Sequence, residues 1–497
     1  MIVTLALRNL VLRPWRSLLL LAGFGLGVGV MITLLSIGDA MVIQARDEKL
    51  VGGGEVTVLP DGVDLEVLKT GGVGGLWFSV ANARFVHRQL LAAPRLQALI
   101  EAAAPQMEGK LLYLRGARLP ELAVRGGGEI PSLSRAVGVA PTLVAGRWDD
   151  DAGDRRWAAP TDAELRHDID RFHETPPGVR DPGSWAEWHY FNVLTPDRKR
   201  WAFLTFLVGG DVPRGEWGGQ LLLTLHEEGR PPRRFSRVVP NARVRYSTGD
   251  ADLQLDETFV RVRDDGRYAV RARIPPEGGG QAAEVDLVVS PAPGAYFPGT
   301  SLGSGDFVSG YVVAGLRATA TGTICVGARC ERYDEAQGYH DHNWGTWRDV
   351  RWEWGAARAG AYTVLYGRVQ APDSLVADTP LFVYLVDSLG FRAVFRPREI
   401  RYEDSRRLAV EGTTIAVPAR GEMVDVRGSD TLRLALEIED VAATDTRTAL
   451  VERGEPGSDR RRARPWFLQL KGLARLSGRI DGVPVAGEGA GFFETYR

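Results

Sequence analysis

Polar and apolar positions change their rhythm twice along this chain. From Ser17 to Gly38, SLLLLAGFGLGVGVMITLLSIG runs 22 residues without a charge, enough for an α-helix to cross a bilayer. The next hundred residues read as mixed α/β. GEVTVLP (54–60) looks like a strand, ARFVHRQLLAAPRLQALIEAAA (83–104) like one or two helices broken at Pro94, and KLLYLRGAR (110–118) like a returning strand. A polar stretch, GRWDDDAGDRRWAAP (146–160), marks a boundary, and TDAELRHDIDRFHE (161–174) reads as a short helix after it. From about residue 185, short runs rich in Val, Leu, Tyr, Phe and Trp alternate with polar residues, cut by Gly, Pro, Asp and Asn. WAFLTFLVGG (201–210) is too short to span and reads as a strand, and RVRDDGRYAV (261–270) is a hairpin turning at Asp-Gly. More than 300 residues of this texture exceed one small barrel, so two β-barrels or sandwiches are expected.

An internal echo supports two units. GTICVGARCERYDEAQGYHDH begins at Gly322 and GRIDGVPVAGEGAGFFETY at Gly478; Gly338-Tyr339-His340-Asp341 matches Gly491-Phe492-Phe493-Glu494. Each barrel then closes with a similar hairpin, and the first alone carries the histidines. The expected order is residues 1–16 cytoplasmic, 17–38 transmembrane, 39–150 an extracytoplasmic α/β segment and 151–184 a linker. A first barrel over 185–345 and a second over 346–497 follow.

Charge orients the span. Arg8, Arg13 and Arg16 precede it, which places the N-terminus in the cytoplasm and the bulk of the chain outside a bacterial-type plasma membrane as a single-pass protein. A cleaved signal peptide, with GDA at 38–40 as cleavage site, is the competing reading. Gly23, Gly25, Gly27 and Gly29 form two GxxxG spacings, which suit close approach of another helix or merely fill. A composition of 44% apolar and 25% charged residues fits a globular protein, and a formal charge of −2 gives no pull toward nucleic acid. The one basic cluster, DRRRARP (459–465), reads as a solvated loop rather than a lipid-headgroup patch. In CVGARC, Cys325 and Cys330 flank a Gly-containing turn, so an oxidising compartment would let them bridge; two free thiols are the alternative.

YHDHNWG (339–345) carries two of the chain's seven histidines. On a strand, residues two apart share a face, so His340 and His342 point one way and Tyr339, Asp341 and Asn343 the other. From EWHYFNVLTPD (187–197) through GYVVAGLRATATGTICV and GYHDHNWGTW to GEGAGFFETY, the chain resembles the carotenoid 1,2-hydratase/AttH-like family over roughly 155–497. The resemblance implies a mainly β fold of two lipocalin-like barrels in tandem, here preceded by one transmembrane helix and a small α/β segment. It also implies a hydrophobic polyene or isoprenoid-like ligand, with hydratase or isomerase activity among the members. The segment LALRNLVLRPWRSLLLLAGFGLGVGVMITLLSIGD and AVGVAPTLVAGRW (136–148) resemble permeases of macrolide-exporter and lipoprotein-releasing ABC transporters. The further spans of such a permease are missing, so that resemblance implies an anchor and a docking surface for transporter components.

Hydration of an isolated alkene needs a proton delivered to carbon, a brief carbocation, and water. Asp341 is the candidate acid, because burial favours a protonated carboxyl, with His340 or His342 orienting it or the water. Tyr190, Tyr339, Asn343, Trp344, Trp347, Trp352 and Trp354 are the candidate ligand contacts, aromatic faces being able to stabilise a cation. The same cluster could equally be the polar plug of a barrel. A metal would require His340, His342 and a carboxylate from another strand, and the sequence nominates none; no metal and no cofactor is expected. His167 and His173, on nearly opposite helix faces, read as surface residues. Two functions stay open: an enzyme that protonates a C=C bond, and a non-catalytic lipid-binding carrier serving an ABC-type transporter.

Overall fold

The computed structural model describes residues 12, 14–47, 56–58, 79–115, 122–139, 147–176, 178–277, 279–304, 307–372, 380–410, 412–445 and 466–497. They fall into two compact units, residues 1–77 with 102–154, and residues 78–101 with 155–497.

In the first unit a single helix runs Pro14–Asp47. Its Pro14–Ile37 stretch, with mean hydropathy 2.4, has the length and composition of a membrane span. The strand Gln106–Leu114 pairs antiparallel with Leu122–Glu129. A short helix Pro131–Ala136 follows, its Ser132 N–H held by Asp150 Oδ1 at 2.7 Å. Of the strand expected at 54–60, the described residues 56–58 form no regular structure. The basic cluster 459–465 lies outside the described residues.

The second unit contains both β-sheets. Helix Val80–Ala92, N-capped by the Ser79 hydroxyl, is followed by the single turn Pro94–Gln97, so Pro94 breaks the helix as its missing N–H requires. These helices cluster with the barrels rather than with the 39–150 segment. The first sheet has twelve antiparallel strands from Trp185 to Thr346. Its edge strand Arg233–Pro240 meets the residues that follow the strand Tyr268–Ile274: Ser236 N–H bonds Pro275 O at 3.1 Å and Glu277 N–H bonds Arg234 O at 3.1 Å, giving a nearly closed barrel. The second sheet has nine strands between Arg351 and Tyr496 and forms a half-barrel.

Both sheets use one plan. In each, the first strand lies hydrogen-bonded beside the last: Trp185–Leu194 beside Arg329–Thr346, and Arg351–Ala359 beside Val483–Tyr496. The echoed segments are the closing hairpins. Gly322 and Gly478, which begin them, both have positive φ, +141° and +157°. A Cβ there would press on the backbone of Asp286 and Thr431 respectively, so only glycine fits either position.

Three apolar layers result. Phe191, Leu204, Leu221 and Tyr268 fill the first barrel; Tyr366, Leu385, Met423 and Phe493 fill the second. Between them Tyr190, Tyr311, Tyr339, Trp354, Leu365 and Phe492 form one continuous seam. Cys325 and Cys330 face each other in the register of the first closing hairpin and are disulfide-bonded. They are expected to resist alkylation in native protein until a reductant is added, as peptide mass mapping would read.

Candidate functional site

YHDHNWG lies on the first barrel's last strand, between Phe307–Val326 and Trp185–Leu194. Strand alternation divides it. His340 turns into the barrel, stacked on Phe191 with ring centroids 4.3 Å apart, while Tyr339 turns into the seam and meets Phe492 at 4.7 Å.

The lumen side is a buried polar cluster assembled from three parts of the chain. Helix Asp162–Ile169 starts at a capping box, Thr161 with Glu164, and buries Leu165 and Ile169. Its C-cap residue, Asp170, is thereby delivered into the barrel. His340 Nε2 lies 3.0 Å from Asp170 Oδ2, the Tyr268 hydroxyl donates to the same oxygen, and His340 Nδ1 faces Tyr190 O at 3.0 Å. His342 Nε2 is 2.8 Å from Glu187 Oε1, close but poorly aligned for a hydrogen bond. The same Glu187 oxygen is 2.8 Å from His173 Nδ1, and the His173 ring stacks on Trp344 at 3.9 Å. His189 stands between, its Nε2 2.9 Å from Ala251 O. Burial would raise the Asp170 carboxyl, but the adjacent His340, His342 and His189 outweigh it and hold Asp170 well below the usual range. Burial and the neighbouring histidines push His189 down; burial also opposes charge on His342, where Glu187 prevails and raises it.

The seam side is a pair of acids among aromatic rings. Asp341 accepts from Tyr339 OH at 2.6 Å and from Asn343 Nδ2 at 2.6 Å, and Tyr339 OH accepts from Trp354 Nε1 at 2.8 Å. Burial pushes the Asp341 carboxyl up to about 6 despite those bonds. Glu494, its counterpart in the echo, accepts from Trp352 Nε1 at 2.8 Å, and burial together with the Asp341 charge pushes it up to about 7. Two buried carboxyls that feel each other's charge cannot both ionise cheaply. A cavity of about 10 Å³ lies beside Tyr339, Phe492, Asn192 and Gln337.

Glu494 carries a stability prediction. Its folded pKa of about 7 exceeds the ordinary 4.5, so the folded state holds the proton more tightly than the unfolded chain. Stability from this group is complete below about pH 4.5 and declines as pH rises to about 7, by on the order of 3 kcal/mol. Glu494→Gln, facing Trp352, Tyr190, Gln469 and Asp341, is expected to flatten that part of the urea-unfolding free energy against pH.

The candidate residues thus separate. Asp341, Asn343, Tyr339, Tyr190 and Trp354 meet at the seam. Trp352 joins them through Glu494, and Trp347 packs on Trp188 at 4.5 Å. His340 and His342 lie on the opposite face and do not hydrogen-bond Asp341, so they cannot orient it directly. Trp344 belongs with the lumen cap formed by Phe85, Leu165 and Trp185. His167 and His173 are half-buried, with Nδ1 beside a carboxylate oxygen of Asp250 and of Glu187 respectively, rather than free surface residues. Sequence reasoning missed Asp170, Glu187, His189, Tyr268 and Glu494. Only Glu494 had a signal, its place in the echo.

No protein-family model matches the chain, and no curated protein is similar to it in sequence. Among solved structures it is similar to a protein assigned as an AttH from Nitrosomonas europaea, with 16% identity, TM-score 0.44, and 66% of this chain and 100% of that one covered. Kievitone hydratase from Nectria haematococca gives 14% identity and TM-score 0.40 over 65% and 93% of the two chains. CghA with Sch210972 gives 13% identity and TM-score 0.42 over 66% and 97%.

Proposed function

We propose that this chain is a membrane-anchored, extracytoplasmic enzyme that protonates a C=C bond of a hydrophobic polyene or isoprenoid-like lipid, as a hydratase or isomerase. One observation carries the reading: the Asp341 carboxyl is buried between two barrels, fixed at both oxygens by Tyr339 and Asn343, and walled by aromatic rings. In this reading Asp341 gives its proton to one alkene carbon, and the C=C electron pair forms the new C–H bond. The cation left on the other carbon is stabilised by the faces of Tyr190, Trp354 and Phe492. Water then adds there and returns a proton to the Asp341 carboxylate, or a neighbouring C–H gives up its proton and the double bond has moved.

The second reading, a lipid carrier accessory to an ABC-type transporter, is favoured by the apolar helix Pro14–Ile37, which suits a tether. Mass spectrometry of lipids co-purifying with native protein and with Asp341→Asn separates the two. An enzyme yields an altered lipid in the native form alone. The same lipid in both forms rejects catalysis by Asp341.

A further inference from the structure

The first barrel holds more donor atoms than its ion pairs use. His340 Nδ1 and His189 Nε2 each face a backbone carbonyl, Tyr190 O and Ala251 O. A carbonyl only accepts, so in both rings that nitrogen carries the hydrogen. In a neutral ring the remaining nitrogens, His340 Nε2 and His189 Nδ1, each offer a lone pair. One donor atom from each of Asp170, His189 and His340 lies within 4.8 Å of the others. His342 Nδ1 is 4.0 Å from Asp170 Oδ1. Among the described residues, Asp170 Oδ1, His189 Nδ1 and His342 Nδ1 find no hydrogen-bond partner, though all three side chains are fully buried. Buried polar atoms are costly when unmatched. A proton on His340 Nε2 answers Asp170 Oδ2 alone and leaves those three atoms unmatched. A cation at their centre answers all of them.

We propose that Asp170, His189 and His340, with His342 completing the set, bind a divalent transition-metal ion of the Zn²⁺ class inside the first barrel. Imidazole nitrogens plus one carboxylate are the donors such an ion takes. The supports are also in place. Metal-bound imidazoles ordinarily donate their other N–H to a carbonyl or carboxylate, as His340 and His189 do, and Tyr268 holds the carboxylate. Bonds of about 2.0–2.1 Å place tetrahedral donors roughly 3.3 Å apart, so the donors, now within 4.8 Å of one another, close in by rotating their rings. All four side chains are sealed from solvent, which bars a substrate from the ion. The ion is therefore structural, pinning Asp170 to the strand of His189 and to that of His340, 170 residues along the chain. The second barrel offers a contrast: Phe493 stands where His340 does, and Glu353 is already matched by Arg368 at 3.0 Å.

The test uses the full chain, purified in detergent from cells grown with added Zn²⁺ or Co²⁺ and dialysed against metal-free buffer. A single equivalent per chain is expected, with the visible bands of tetrahedral Co²⁺ and imidazole scattering in the Zn absorption edge. His189→Ala should lose the ion, whereas the double variant Asp250→Asn/Asp252→Asn, in the half-buried His167, Asp250 and Asp252 cluster, should keep it. If His189→Ala fails to fold by circular dichroism, the imidazole scattering of the unaltered protein decides. Folded protein without an ion overturns the proposal. So does an ion without imidazole scattering, or one that is lost in the double variant and kept in His189→Ala.

Discussion

Asp341→Asn is expected to cut turnover of a polyene substrate by about 10²–10⁴-fold, the usual contribution of a positioned acid, while the protein still folds. The amide keeps the shape of the carboxyl and an oxygen for the Tyr339 hydroxyl. Its NH₂ would face Asn343 Nδ2, but Asn343 can rotate its own amide and present oxygen instead. What the variant cannot do is release a proton to carbon. Product should be followed by mass spectrometry and divided by the folded fraction from circular dichroism. Tyr339→Phe gives the contrast, removing a donor to Asp341 and leaving Trp354 Nε1 without its acceptor, for a stability cost of about 1–3 kcal/mol. If Asp341→Asn instead loses several kcal/mol of stability and leaves turnover per folded molecule unchanged, the seam acid is a plug and the hydratase reading fails.

Asp170→Ala should act on stability. The carboxylate lies 3.0 Å from His340 Nε2 in a cluster with no access to solvent and accepts from Tyr268. Removing one member of a buried pair leaves its partner unpaired, at about 3–5 kcal/mol. Urea unfolding should show the midpoint falling with little change in slope. Asp170→Asn, which keeps an acceptor for Tyr268, should lose less. A loss under about 1 kcal/mol for the alanine variant would mean that the lumen cluster does not hold the helix Asp162–Ile169 against the barrel.

Much of the fold was legible because strands write a period of two. The alternation in YHDHNWG separates His340 from Asp341, and the echo pairs Asp341 with Glu494 at the seam. The short strands and the Asp-Gly hairpin were equally plain in the sequence, and Pro94 ended its helix. The lumen site was not legible. Asp170 sits in HDIDRFHE, which reads as a polar helix end, and its partner His340 lies 170 residues away. Glu187 and His189 share a face of the first strand, but strand pairing alone decides that this face meets His342. Such contacts arise from closure of the sheet, which no local pattern records. His340 and His342, expected to orient Asp341 or the water, lie on the barrel face that the alternation already gave them, with the backbone between them and Asp341.

The pairing of first strand with last has a consequence for how the chain folds. Residues 185–194 can find their long partner only after residue 346 has been made, and residues 354–357 only after 494. Successive hairpins form locally, but the pairing of first strand with last is non-local, which slows folding toward the range typical of such β topologies. While each sheet waits, its first strand has an open edge, a template for pairing with another copy. The two meanders can finish in sequence, since neither borrows a strand from the other. The seam, with its two acids, is then the last surface to be sealed.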